Sequence, residues 1–211
     1  MERCLMCGKR IGLSGNWQEV LFEEDLLCHA CRSQWIERKQ KFQIDGIRAD
    51  SDWEYEGGFS KCLLQYKECN DEALQEVFLN LKREKLRRRY RGYTLLLMPS
   101  TEEKNEERGF HHLPGMFECL GLEMLEPFEK VRTDQQKELN RAGRRKMVHG
   151  IRLKPVVTLP EKVVLCDDVI TTGSTMRGAL NCLERKTHKI LIYACASTSF
   201  DKEKQRLVKK V

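Results

Sequence analysis

Two acids and a run of hydroxyls stand together in Asp167-Asp168-Val169-Ile170-Thr171-Thr172-Gly173-Ser174-Thr175. Four apolar residues, Val163 to Cys166, lead into them, and Met176 to Leu183 follows with helical spacing. A short apolar run bounded by a turn signal suits a strand buried on both faces. The order strand, acid pair, hydroxyl loop, helix start is the outline of a phosphate-sugar site. Ligands of open α/β sheets bind beyond the carboxyl ends of strands, and the first N–H groups of a helix favour an anion. Thr171, Thr172, Ser174 and Thr175 add hydroxyl donors, and Gly173 lets the backbone come close. Asp167 and Asp168 repel a phosphate, so they need another partner: vicinal ribose hydroxyls, or a magnesium ion bridging them. The alternative is a solvated acidic turn after a core strand. Walker and dinucleotide loops are excluded, because neither Gly-Lys-Ser/Thr nor G-x-G-x-x-G is present.

A second set of residues able to do chemistry lies near the start. Cys4-Leu5-Met6-Cys7 and Cys28-His29-Ala30-Cys31 are two CxxC knuckles twenty residues apart. Four thiolates at this spacing predict a structural zinc site of Cys4, Cys7, Cys28 and Cys31, closed to water. His29 is then left facing solvent. Residues Trp17 to Phe22 with Leu26-Leu27 predict a short hairpin over the metal. So small a unit has little core of its own, and the metal should supply much of its folding energy. The other six of the ten cysteines lie among apolar residues and are expected to be small buried hydrophobes.

These residues need a scaffold. The 211 residues suffice for one α/β domain with a small appendage, divided at residues 1–45 and 46–211. Arg32 to Gln43 is polar and basic, and predicts a helix leading into a connector. Ser51 to Glu56 alternates acidic and aromatic like a half-buried strand. Gly57-Gly58 turns the chain, and Phe59 to Tyr66 is helical. Asn70 is the expected N-cap of a helix over Ala73 to Leu81, ending in the basic run Lys82, Arg83, Lys85, Arg87, Arg88, Arg89 and Arg91. That run fits a solvated helix end and equally a patch for nucleic-acid phosphates at Arg87, Arg88 and Arg89, with Tyr90 and Tyr93 for stacking. Further strands are expected at Thr94 to Met98, Glu126 to Val131 and Lys189 to Ala196, with a helix over Leu113 to Leu122. Residues 132–150 form a long polar stretch of the kind that is an active-site lid or disordered, and 201–211 is a basic tail. The start shows no apolar signal segment and no stretch nears the length of a membrane helix. The expectation is a cytoplasmic protein without membrane insertion. A net charge of +6 permits a polyanionic partner without requiring one.

The Asp167 to Thr175 stretch resembles the signature of the type I phosphoribosyltransferases. The resemblance implies a parallel sheet flanked by helices and a pocket for 5-phosphoribosyl-1-pyrophosphate with magnesium. Asp167 and Asp168 would meet the ribose hydroxyls, and Thr171, Thr172, Gly173, Ser174 and Thr175 the 5′-phosphate. Zinc knuckles ahead of such a domain are similar to the ComF family of competence proteins. Features of that family recur in order: Gln65-Tyr66-Lys67; Met98-Pro99-Ser100; Arg108-Gly109-Phe110; Arg132-Thr133, Gln136, Leu139 and Arg144; then the acid pair. The chain departs from the family pattern at Met147 and at His111-His112. By this resemblance Ser100 belongs to the pyrophosphate turn. Arg108, Arg132, Arg144 and Arg145 are candidates to close over it, since a guanidinium suits phosphate. The family resemblance further implies an accessory of natural transformation that binds single-stranded DNA and a helicase-like ATPase partner. An active phosphoribosyltransferase on an unknown acceptor is the alternative, and no stretch identifies the acceptor.

Overall fold

The computed structural model describes residues 3–11, 25–130, 150–155, 158–183, 187 and 189–198. Its main feature is a six-stranded mixed sheet with helices packed on it, the α/β class that the sequence predicts. In chain order the elements are α1 (His29–Arg32), β1 (Glu37–Ile44), β2 (Ile47–Glu54), α2 (Gly57–Glu68), 3-10 turns at Glu72–Phe78 and Asn80–Lys82, and α3 (Arg83–Arg89). Then follow β3 (Thr94–Leu97), α4 (Glu102–Arg108), α5 (His112–Glu118), β4 (Met124–Leu125), β5 (Phe128–Lys130), β6 (Ile151–Leu153), β7 (Lys162–Ile170), α6 (Ser174–Leu183) and β8 (Lys189–Ser197). The sheet order is β1-β2-β8-β7-β3-β4. Only β1 and β2 pair antiparallel; the rest are parallel. The central strands β3 and β7 are near-continuous apolar runs, as burial on both faces demands. Strands β5 and β6 form a separate antiparallel pair, and Lys130 stands opposite Ile151. Among the described residues no helix is long and apolar enough to cross a membrane.

Several elements differ from the sequence expectation for physical reasons. No helix spans Arg32 to Gln43: the single turn α1 ends at Arg32, and Glu37–Ile44 forms the edge strand β1. Phe42 and Ile44 point to the core while Lys39 and Lys41 stay in solvent, and lysines on an outer edge suit a strand that must not pair further. Strand β2 begins earlier than expected and is buried from Ala49 to Trp53, because it pairs on both sides; its acids Asp50 and Asp52 are inside rather than solvated. Asn70 is no N-cap. It takes a left-handed φ of 56°, and a 3-10 turn follows whose Leu74 and Val77 are spaced three apart. Helix α4 was not expected, although Thr101 caps the Lys104 N–H and Gly109 closes it at a left-handed φ of 78°. Cys69 is exposed rather than buried, whereas Cys62, Cys166 and Cys195 lie in the core. The hairpin residues 17–22, the stretch 132–149 and the tail 201–211 lie outside the described residues.

Candidate functional site

Parallel β3 and β7 lie side by side, with Leu97 opposite Cys166. From β3 the chain passes through α4 and α5 to β4 on one flank; from β7 it passes through α6 to β8 on the other. The strand order therefore reverses between β3 and β7. Crossovers leaving in opposite directions open a crevice at the carboxyl ends of such a pair, where ligands of doubly wound sheets bind. Ser100 follows β3, and Asp167, Asp168 and the hydroxyl loop occupy and follow the end of β7. Ser100 and the Asp167 to Thr175 stretch thus lie at the carboxyl ends of two adjacent parallel strands.

The sequence predicts that the strand ends at the acids, and the structure corrects this. β7 runs on to Ile170, because β8 continues to pair with it, Asp167 opposite Ala194 and Ile170 opposite Ser197. Their side chains therefore differ in surroundings. Asp168 is buried, and its Oδ2 accepts from Lys67 Nζ at 2.6 Å and lies 3.3 Å from His112 Nε2. Its Oδ1 accepts from the Val169 N–H at 2.7 Å. Burial alone raises this carboxyl, but the His112 hydrogen bond and the Lys67 ammonium outweigh it and hold Asp168 below the usual carboxylate range. Half-buried Asp167 accepts from the Asp168 N–H at 3.0 Å. Burial first, then the Asp168 charge, pushes its carboxyl well above the ordinary value.

Lys67 and His112 are partners of Asp168 that the sequence reading does not assign. Lys67 entered only as part of a family motif and His112 only as a departure from one. Both reach the acid from other elements, α2 and α5, and no local pattern signals that. Arg108, expected to close over a pyrophosphate, is buried at the end of α4. Its Nε donates to the Lys67 carbonyl at 2.8 Å and its Nη1 lies 3.3 Å from His112 Nδ1. Ser100 Oγ lies 3.4 Å from the same nitrogen. A shallow open cleft beside Ser100 is lined by Asn105, His111, His112, Leu113 and Glu126. Arg132, Arg144, Arg145 and Met147 lie outside the described residues.

The hydroxyl loop turns at Gly173, whose φ of 74° is left-handed and whose missing Cβ would stand 3.0 Å from Ile44 Cδ1. Both constraints require glycine there. Thr172 Oγ1 donates to Ser174 Oγ at 3.2 Å, and the Ser174 N–H reaches back to Thr172 Oγ1 at 3.4 Å. Arg177, one turn into α6, donates to the Thr172 carbonyl at 2.9 Å and to Asp45 Oδ1 at 3.2 Å. The tip of the β1–β2 hairpin therefore braces the loop, another arrangement that the sequence did not disclose.

The basic run divides. Lys82 pairs with Glu37 at 2.6 Å, Lys85 with the buried Asp52 at 3.1 Å, and Arg89 with the buried Asp50, which also meets Arg48 at 3.3 Å. Arg87 and Arg88 are exposed. Tyr90 is in the core, 5.8 Å from the Tyr193 ring, and is lost as a stacking face; Tyr93 remains half-buried.

The four knuckle sulfurs all lie within 4.8 Å of one another, and Cys7 and Cys28 are 3.7 Å apart. Sulfurs around a tetrahedral ion with bonds of about 2.3 Å stand about 3.8 Å apart, so the cluster fits a structural metal. Gly8, at φ 71°, and the Cys4 N–H donating to the Lys9 carbonyl close the first knuckle turn. Hydrogen bonding with the Lys9 backbone draws the Cys7 thiol down to about 7, while burial pushes Cys31 up. His29 is exposed, as expected.

The chain is 29% identical over 206 residues to competence protein ComFC of Streptococcus pneumoniae, an alignment spanning 86% of this chain and 93% of that protein. The chain is homologous to ComFC. A second relative, competence protein ComFC of Bacillus subtilis, is 28% identical over 94 residues, 44% of this chain and 39% of that protein. No protein-family model matches the chain.

Proposed function

We propose that the chain is a cytoplasmic accessory of natural transformation whose crevice takes 5-phosphoribosyl-1-pyrophosphate. The observation that carries the ligand is the placing of Ser100 after β3 and of Asp167, Asp168 and the hydroxyl loop at the end of the adjacent β7, at the switch point of the sheet. In this reading Thr171, Thr172, Gly173, Ser174 and Thr175 receive the 5′-phosphate and the acids receive the ribose hydroxyls. Magnesium arrives with the diphosphate, which the Ser100 turn and Arg132 receive. The competence role follows from the relatives, both of which are named competence proteins. Single-stranded DNA and a helicase-like ATPase are the proposed partners, with Arg87, Arg88 and Arg89 as the basic face. Zinc is the metal of Cys4, Cys7, Cys28 and Cys31, because four thiolates in a closed set select it. Calorimetric titration with magnesium and 5-phosphoribosyl-1-pyrophosphate tests the ligand. Fluorescence anisotropy with labelled single strands across a salt series tests the DNA face.

A further inference from the structure

We infer that His112 is a positioning residue of the crevice: as a neutral imidazole protonated at Nε2, it ties the residues after β3 to the acid pair of β7. The inference rests on the proposed ligand site only for what the link is for; the link itself stands on geometry. His112 is 5% exposed and sits at the start of α5. Its Nδ1 faces two groups, Arg108 Nη1 at 3.3 Å and Ser100 Oγ at 3.4 Å. A guanidinium has donors only and stays charged. The nitrogen opposite it must therefore present a lone pair. A proton on Nδ1 would point N–H at N–H, and on a neutral ring it would also turn the Nε2 lone pair on the Asp168 carboxylate. The ring's one proton is then on Nε2, 3.3 Å from Asp168 Oδ2, which accepts it. Burial favours the neutral ring and lowers its affinity for a second proton, in spite of the adjacent carboxylate.

The consequence is mechanical. Ser100 and Arg108 lie on the β3 side of the switch point, and Asp168 lies on the β7 side. One aromatic ring with fixed donor and acceptor spans them, so it sets how far apart the two walls stand. The ring is itself anchored: the buried Tyr66 hydroxyl donates to the His112 carbonyl at 2.8 Å, and Lys67, the next residue of α2, holds the same Asp168 oxygen. Asp168 is thus occupied by protein groups on both oxygens. Asp167, which has no cation in ion-pair range among the described residues, is the less committed of the two acids.

The test uses the full chain with ¹⁵N-labelled histidine and a long-range ¹H–¹⁵N correlation spectrum near neutral pH. The expected result is one ring, absent in His112→Gln, with a protonated Nε2 and a bare Nδ1, and with its Nε2 resonance displaced in Asp168→Asn. A His112 ring protonated at Nδ1 overturns the inference, whether or not any ligand binds. The second arm titrates magnesium and 5-phosphoribosyl-1-pyrophosphate. His112→Leu should bind about tenfold more weakly, the scale of a lost hydrogen bond to a charged group, and His112→Gln should recover most of that loss through its amide. Equal affinity of His112→Leu and the unaltered chain, at equal melting temperature, overturns the positioning role. If the unaltered chain takes none of this probe, the proposed ligand falls, and the tautomer still decides the link.

Discussion

Asp167 and Asp168 are neighbours in one strand, yet alternation along the strand sends them to different surroundings. Lys67 and His112 secure Asp168 from helices far off in sequence, Lys67 from 101 residues away. The acid pair and the hydroxyls were legible because they are contiguous and their spacing carries the chemistry. Their supporting groups were not, because a pairing made across the fold leaves no trace in local periodicity. Removing the cation tests its weight: Lys67→Met should lower stability by about 2 kcal/mol, since it strips a charged hydrogen bond from a buried carboxylate, measured by urea unfolding. The loop itself is testable at one atom. Gly173→Ala forces a Cβ onto a left-handed φ and against Ile44 Cδ1. It should cost on the order of 1–2 kcal/mol of stability and weaken ligand binding together; an unchanged urea midpoint would show that the loop tolerates the side chain.

Among elements, α3 and β2 change how the basic run is understood. The sequence shows a row of cations after a helix, but not that the facing strand carries two buried acids. Lys85 and Arg89 answer Asp52 and Asp50, and Tyr193 donates its hydroxyl to Asp52 at 3.1 Å. The three arginines proposed for DNA are therefore unequal. Arg87→Gln with Arg88→Gln should leave stability unaltered and flatten the dependence of single-strand affinity on salt by about 1.4 in log–log slope, two phosphate contacts' worth. Arg89→Gln should instead lower the melting temperature, by an ion pair worth about 1–2 kcal/mol, because Arg48 still partners Asp50. An unchanged slope in the double variant would leave the exposed pair as a solvated helix end. Helix α4 carries its signal in the sequence, Thr101 before Glu102-Glu103 and Gly109 at the close. Strand β1 shows the opposite: its basic residues look helical until the sheet gives Phe42 and Ile44 a core to face.

Across the whole molecule, the cysteine module is not an isolated appendage. Arg32, just after the second knuckle, forms a bidentate pair with Asp25 at 2.6 and 2.7 Å and donates to the Val77 carbonyl at 3.0 Å. Its guanidinium lies 4.2 Å from the Trp35 ring centroid. From Trp35 a chain of ring contacts runs through Phe59 and Phe78 to Tyr66, whose hydroxyl holds the His112 carbonyl. Metal analysis should give about one zinc per chain. Stripping it with a strong chelator should lower the melting temperature and expose Trp35, read as a red shift in tryptophan emission; a metal-free chain with unaltered emission would separate the module from the fold. The ligand at the switch point remains the central matter. Calorimetric titration of the unaltered chain with magnesium and 5-phosphoribosyl-1-pyrophosphate addresses it most directly, with Asp167→Asn beside it. Saturable one-to-one binding is expected, weakened about tenfold or more by Asp167→Asn, as loss of a charged hydrogen bond requires. No heat of binding in a chain that is folded and metal-loaded would contradict it.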